Sequence, residues 1–278
     1  MKKLLIKNGT IIDVENGLSF LGTIEVEGNK IKRVISESDA LPEGIEIIDA
    51  KGKYIIPGLI DMHCHINERF APHFVASGVT TIRNTAGNVL LLKKLIDKPD
   101  DAPTPRIYAS DRMIDGTPGQ WGSTSYGNLV TDDPEEARKE VRRQVEVGAK
   151  FVKLYGWIKR DVMAAAVDEA KKFNLEVAID LANSKDLTAL DAAELGVTWF
   201  EHASGFAHAI YKGWNLFVDK EEEWSHIDWE NPDQEKIKEF CKKMLAYNVK
   251  LCPTMVVLDQ PMKYPDFWSP KNIIIESA

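Results

Sequence analysis

The sequence predicts an α/β protein: a TIM-like (β/α) barrel that is C-terminally incomplete, with a small N-terminal β-sandwich domain before it. Three observations predict it. Residues 1–56 read as short strands broken at Asn8-Gly9, Asn16-Gly17 and Gly28-Asn29, the texture of a small antiparallel sheet or sandwich. After Pro57-Gly58, apolar strand-like runs alternate with amphipathic helical stretches, as in βαβ units. The first of these runs ends in two histidines one residue apart, His63 and His65. The expected division is a β domain over 1–56 and a barrel over 57–278.

In chain order, barrel strands are expected at residues 55–65, 79–84, 106–110, 150–156, 175–182, 198–203 and 249–258. Helices fill most of the gaps. Over 161–173, Val162, Met163, Ala166, Val167, Ala170 and Phe173 recur at three- and four-residue spacing, with Asp168, Lys171 and Lys172 opposite. Over 134–147, a helix follows Asp132-Asp133 and carries Glu135 and Glu136 in its first turn, where the helix dipole favours anions. An eight-stranded barrel needs one strand more than these seven. Residues 273–278, Ile273-Ile274-Ile275-Glu276-Ser277-Ala278, do not read as one, so the chain is expected to be short at its C-terminus.

Composition narrows the function classes. The chain has 278 residues, 44% hydrophobic and 28% charged, which describes a soluble globular protein with a sizeable core. A formal net charge of -8 argues against nucleic acid or an anionic membrane as the main partner, since both demand a basic face. The N-terminal apolar run is cut by Lys7 before it could form a signal-peptide core. Cys64, Cys241 and Cys252 are odd in number and scattered, so no disulfide framework is expected and a cytoplasmic location fits.

Chemistry in such a barrel sits at the carboxyl ends of the strands. In a strand, side chains alternate, so His63 and His65 share a face and suit one metal ion. Lys153 alternates with Phe151 and Tyr155 on the inner face, in a run with no adjacent carboxylate. An isolated buried ammonium costs several kcal/mol. Reaction of the neutral amine with carbon dioxide would instead give a carbamate, an anionic ligand able to bridge two metals. Strand 175–182 puts Ala178, Asp180 and Ala182 on one side and Val177, Ile179 and Leu181 on the other, so Asp180 is expected to point inward. His202 is assigned the face of Thr198 and Phe200 as a third inward histidine. The glycine-rich loop 115–122 offers Gln120 and Trp121, with Tyr155, for substrate contact. The aromatic stretch 205–231 reads as a lid, a subunit contact or a self-packed excursion.

The motifs Pro57-Gly58-Leu59-Ile60-Asp61-Met62-His63-Cys64-His65, Gly78-Val79-Thr80-Thr81-Ile82-Arg83, Gly148-Ala149-Lys150-Phe151-Val152-Lys153, Phe200-Glu201-His202 and Cys252-Pro253-Thr254 together resemble the amidohydrolase superfamily, within it the imidazolonepropionase and metal-dependent prolidase or Xaa-dipeptidase branch. The resemblance runs from about residue 5 to 258. It implies one or two divalent metals, zinc first with manganese or iron as alternatives, held by His63, His65 and His202, with carboxylated Lys153 as the bridge. The family usually has histidine where this chain has Asp180, a His-x-His-Gly pattern where it has Asn183, and Arg-Asp where it has Arg83-Asn84. Its aspartate after strand eight has no counterpart. Asp180 stands as an oxygen ligand and the one inward carboxylate nominated as proton acceptor.

The expected activity is metal-dependent hydrolysis of an amide or other C-N bond in a small substrate such as a dipeptide, an N-acyl amino acid or a cyclic amide. Two alternatives stand beside it: a non-catalytic binding or assembly protein, and an incomplete portion of a longer enzyme. The unpaired edge of an open barrel favours a homo-oligomer or pairing with a C-terminal portion.

Overall fold

The computed structural model describes residues 2–36, 44–182, 184, 187–211 and 225–263. Asn183, residues 212–224 of the aromatic stretch (Trp214, Phe217 and Trp224 among them) and residues 273–278 lie outside the described residues. The N-terminal part is one mixed sheet of five strands, β1 (Lys3–Asp13), β2 (Leu18–Glu27), β3 (Lys30–Ser36), β4 (Glu46–Asp49) and β5 (Tyr54–Ile55), where a sandwich has two layers. Strands β1 to β3 form the expected antiparallel meander, and Gly17 and Gly28 in its turns have φ of 66° and 63°. The purely antiparallel expectation is corrected by β4 and β5, which both run parallel to β1.

The remaining elements alternate: β6 (Leu59–Cys64), α1 (Ala71–Ala76), β7 (Val79–Asn84), α2 (Val89–Ile96), β8 (Arg106–Ala109), β9 (Met113–Asp115), β10 (Asn128–Val130), α3 (Pro134–Val147), β11 (Phe151–Tyr155), α4 (Arg160–Lys172), β12 (Glu176–Asp180), α5 (Ala189–Leu195), β13 (Trp199–Glu201), α6 (Phe206–Ile210), α7 (Gln234–Ala246), β14 (Lys250–Cys252) and α8 (Met255–Lys263). Every strand pair here is parallel. One sheet joins β6, β7 and β8, and the other runs β10-β9-β11-β12-β13-β14. A bridge from Ser110 to Phe151 links the two, so β6, β7, β8, β11, β12, β13 and β14 form a seven-stranded arc with helices outside. Among the described residues, β6 and β14 are not paired with each other.

Helix boundaries follow their caps. Asp133 accepts from Glu135 N at the start of α3, and Gly148, with φ of 93°, ends it. Thr188 and Asp191 form a capping box that starts α5, and Gly196 closes it. The outer faces of β11 and β12, through Val152, Leu154, Val177 and Ile179, pack on Val162, Met163, Ala166, Val167 and Ala170 of α4. Small alanines let that helix approach the sheet closely. Phe200 continues this core, meeting Phe206 at 5.6 Å between ring centroids, and Phe206 in turn meets Phe240 of α7 at 5.0 Å.

Two elements differ from the sequence expectation. The strand expected over 249–258 stops at Cys252. Pro253 has no amide to continue the ladder, Thr254 turns with φ of 48°, and Met255 starts a helix instead. The third barrel strand is broken into β8 and β9, and the loop after it contains the unexpected β10. The break is held by Asp111, which is fully buried, accepts from Val89 N at the start of α2 and pairs with Arg143 of α3. A short apolar run of four residues did not reveal that its polar successor had a partner in another helix.

The core assignment carries a stability expectation. Phe200→Ala should lower the unfolding free energy by about 3–5 kcal/mol through lost burial and a cavity. Leu245→Ala, on the exposed side of α7, should stay within about 0.5 kcal/mol. Denaturant unfolding midpoints of the two variants, compared with the parent protein, read this difference.

Candidate metal centre

The carboxyl ends of the strands open on a cavity of about 650 Å³ whose lining includes His63, His65, Trp121, Lys153, Tyr155 and His202. Strand alternation places Lys153 there. Val152 and Leu154 belong to the outer core, while Phe151, Lys153 and Tyr155 face inward. Lys153 is 2% exposed, and its Nζ has no hydrogen-bond partner among the described residues. Burial brings its ammonium down to about 8, against the opposing pull of the Glu201 and Asp180 charges. A neutral amine is therefore within reach near neutral pH.

The three histidines gather at the same place. The His63 ring centroid lies 5.5 Å from that of His65 and 4.5 Å from that of His202. Burial lowers the pKa of His65 and of His202, so both hold as neutral imidazoles, the state that binds metal. The His202 ring is also set by its neighbour. Thr254 Oγ1 donates to Pro253 O at 2.9 Å and so accepts from His202 Nδ1 at 2.5 Å, which leaves Nε2 unprotonated. That Nε2 lies 3.6 Å from Asp180 Oδ2. Asp180 is buried, and its other oxygen accepts from Ala182 N at 2.9 Å. The donor set and the buried Lys153 Nζ fit a divalent cation: the neutral imidazoles of His65 and His202, the imidazole of His63, a carboxylate and a buried amine without a hydrogen-bond partner among the described residues.

The route by which His202 enters corrects the sequence reading. Simple alternation grouped it with Phe200, yet Phe200 packs outward on α6 and α7, and Glu201 is the inward residue. His202 reaches the cavity because it and Ala203 take φ of 60° and 56°, turning the chain back at the strand end. Glu201 is thus a second inward carboxylate beside Asp180, contrary to the expectation of one. It is fully buried, and its Oε2 lies 2.7 Å from His63 Nδ1 while its Oε1 accepts from Arg83 Nη1 at 2.6 Å. Burial alone would raise its pKa, but the His63 hydrogen bond and the Lys153 and Arg83 charges hold it down at about 2. His63, Glu201 and Cys252 also offer donor atoms within 4.8 Å of one another.

The loop after β9 is held from beneath. Asp115, 1% exposed, accepts from the backbone of Gly116, Gln120 and Trp157 at 2.9, 2.7 and 3.0 Å. Trp121 projects over the cavity and meets the Tyr155 ring edge-on at 6.3 Å. Gln120 enters through its backbone contact with Asp115; its side chain is not among the lining groups. The sequence assigns Arg83 no site role, offers Glu201 only as a polar side chain ending its strand, and includes Asp115 only as part of the loop 115–122. The strand-end rule that singled out Lys153 applies equally to Arg83, whose predecessor Ile82 packs in the outer core.

Comparison with known proteins follows this geometry. Residues 54–214 match the Amidohydrolase family. The dihydroorotase of Ruminiclostridium cellulolyticum is 46% identical over 66 residues, covering 24% of this chain and 15% of that enzyme. The match thus spans about a seventh of that curated relative's length. A prolidase solved with N-methylphosphonate-L-proline superposes with a TM-score of 0.69 at 20% identity, over 95% of this chain and 69% of that one. A Xaa-Pro dipeptidase solved with methionine in its active site gives 0.68 at 18% identity, over 96% and 70%. At these identities the two structures establish the fold.

The buried amine has a measurable consequence. Lys153→Met in metal-free protein should raise stability by roughly 1–3 kcal/mol at pH 7, because the cost of a buried unpaired charge disappears. The lysine's folded value is depressed from 10.5 to about 8. Its penalty is therefore fully present below about pH 8 and vanishes above the unfolded value. The advantage of the methionine variant should fade between these two limits when urea unfolding is followed against pH.

Proposed function

The chain belongs to the amidohydrolase family, and we propose from that premise that it is a metal-dependent hydrolase of an amide or other C-N bond in a small substrate. The observation that carries this reading is the convergence of His63, His65, Lys153 and His202 on one cavity, with the buried Lys153 Nζ without a hydrogen-bond partner among the described residues. The metal is assigned as zinc, with manganese or iron as alternatives and one or two ions as the stoichiometry. His63, His65 and His202 would hold it, with Asp180 as an oxygen ligand and Lys153, as its carbamate, as the bridging anion. In forming that carbamate the neutral amine adds to carbon dioxide and releases one proton. When bound, the cation supplies a Lewis acid for the scissile carbonyl and lowers the pKa of water.

The protein's own groups then divide the remaining work. Asp180 is proposed to take the proton of the attacking water and return it to the departing amine. Trp121 and Tyr155 present an aromatic wall against which an apolar residue or a prolyl ring would pack. The wall favours a substrate with a compact apolar side over an extended polar chain. Dipeptides ending in proline head the candidates, a choice supported by the likeness to prolidase and Xaa-Pro dipeptidase structures, with N-acyl amino acids and cyclic amides next. The free thiols of Cys64, Cys241 and Cys252 accord with a cytoplasmic setting.

Zinc-loaded protein should hydrolyse at least one member of a Xaa-Pro, N-acyl amino acid and cyclic amide panel, read as free amino acid from the first two and as ring-opened product from the third. His63→Ala should lower kcat/KM by at least about 100-fold and reduce bound metal by elemental analysis. A parent protein that retains no metal after supplementation with zinc or manganese would remove this reading.

A further inference from the structure

Beneath the candidate ligands lies a second layer of buried charge that the proposed chemistry does not use. Arg83 is 6% exposed, and its guanidinium lies between two aromatic rings, 4.0 Å from the Phe151 centroid and 4.5 Å from that of Trp199. Its Nη1 donates to Glu201 Oε1 at 2.6 Å and reaches Met62 O, one residue before His63, at 3.4 Å. The other oxygen of Glu201 faces His63 Nδ1 at 2.7 Å. The three residues thus form a chain across β7, β13 and β6. Contact with two ring faces and a charged hydrogen bond suit arginine here; a lysine ammonium would keep the charge and lose the flat, weakly hydrated surface that meets the rings.

We infer that Glu201, fixed by Arg83, is a positioning residue that holds His63 as its Nδ1–H tautomer and so commits Nε2 as the metal-binding atom. The reasoning is one of hydrogen-bond valence. An ionised carboxylate only accepts, so the proton of a neutral His63 must sit on Nδ1. A carboxylate on the outer nitrogen of a ligating histidine fixes the ring's orientation and makes it a better donor. Arg83 holds the other carboxylate oxygen of Glu201 away from the cavity through its 2.6 Å hydrogen bond, and is itself buried against the Phe151 and Trp199 rings. Thr254 does for His202 what Glu201 does for His63, through an uncharged hydroxyl.

This inference rests on the metal reading above, and one of its two tests does not need metal. In the metal-free protein, ring nitrogen-15 shifts should report His63 as the Nδ1–H tautomer, and Glu201→Gln should shift it toward a mixture. A parent His63 protonated on Nε2 would overturn the inference. In zinc competition against a chromophoric chelator, Glu201→Gln and Arg83→Met should each weaken binding by about 10–100-fold, with Arg83→Lys between Arg83→Met and the parent. Cys252→Ser should leave affinity within about threefold of the parent, because Cys252 lies outside this chain of support. If Glu201→Gln and Cys252→Ser instead abolish zinc binding as fully as His63→Ala, Glu201 is a direct ligand and the inference fails. A parent that binds no zinc removes the metal reading, and the tautomer measurement still decides the role of Glu201.

Discussion

Burial of charge on the inner face of a parallel sheet is the constraint on which this molecule depends. Lys153, Arg83, Asp180 and Glu201 are all within a few per cent of full burial, in a region where an unmatched charge costs several kcal/mol. Their arrangement follows from that cost. Arg83 and Glu201 neutralise each other directly, Asp180 accepts from the Ala182 amide, and of the four Lys153 alone is without a hydrogen-bond partner among the described residues and is depressed toward neutrality. An amine without a hydrogen-bond partner among the described residues, beside the neutral imidazoles of His65 and His202, is what supports the proposed cation site.

The outer core exists to hold that inner face in register. Each barrel strand contributes alternate residues to the two sides, so the packing of Val152, Leu154, Val177 and Ile179 against α4 sets where Lys153 and Asp180 project. Buried polar ties outside the barrel act likewise. Asp111, Glu140, Arg112 and Arg143 join the broken third strand to α3, and Asp115 ties the pocket loop to the turn after β11. Irregular backbone shapes the site as well: His202, which lines the cavity, and Ala203 and Thr254 beside it are non-glycine residues at positive φ that end strands β13 and β14.

Much of this was legible in the sequence. The alternation of strands and helices, the helix spans 134–147 and 161–173, and the inward parity of Lys153 and Asp180 all come from local periodicity, and periodicity survives folding when a strand is regular. The reading failed where the backbone departs from regularity. Parity carried past Glu201 mistook the inner face for the outer one, because the left-handed turn at His202 resets the alternation. The strand expected through residue 258 ignored the amide that Pro253 lacks. Met113 to Asp115 and Asn128 to Val130 are too short to show a period of two, and only their pairing makes them strands.

By itself, the sequence determined the class of the fold, the identity of the histidines and the lysine that could meet, and the family resemblance carried by those motifs. These are properties of local order, which side-chain alternation and residue chemistry transmit without reference to distant contacts. The tertiary structure decided which groups are partnered. That Arg83 meets the Phe151 and Trp199 rings, that Glu201 reaches His63 from 138 residues away in the chain, and that Lys153 has no hydrogen-bond partner among the described residues depend on strands far apart in sequence. Charge pairing acts over a few ångströms in space and is blind to separation along the chain, so no pattern within a single segment records it.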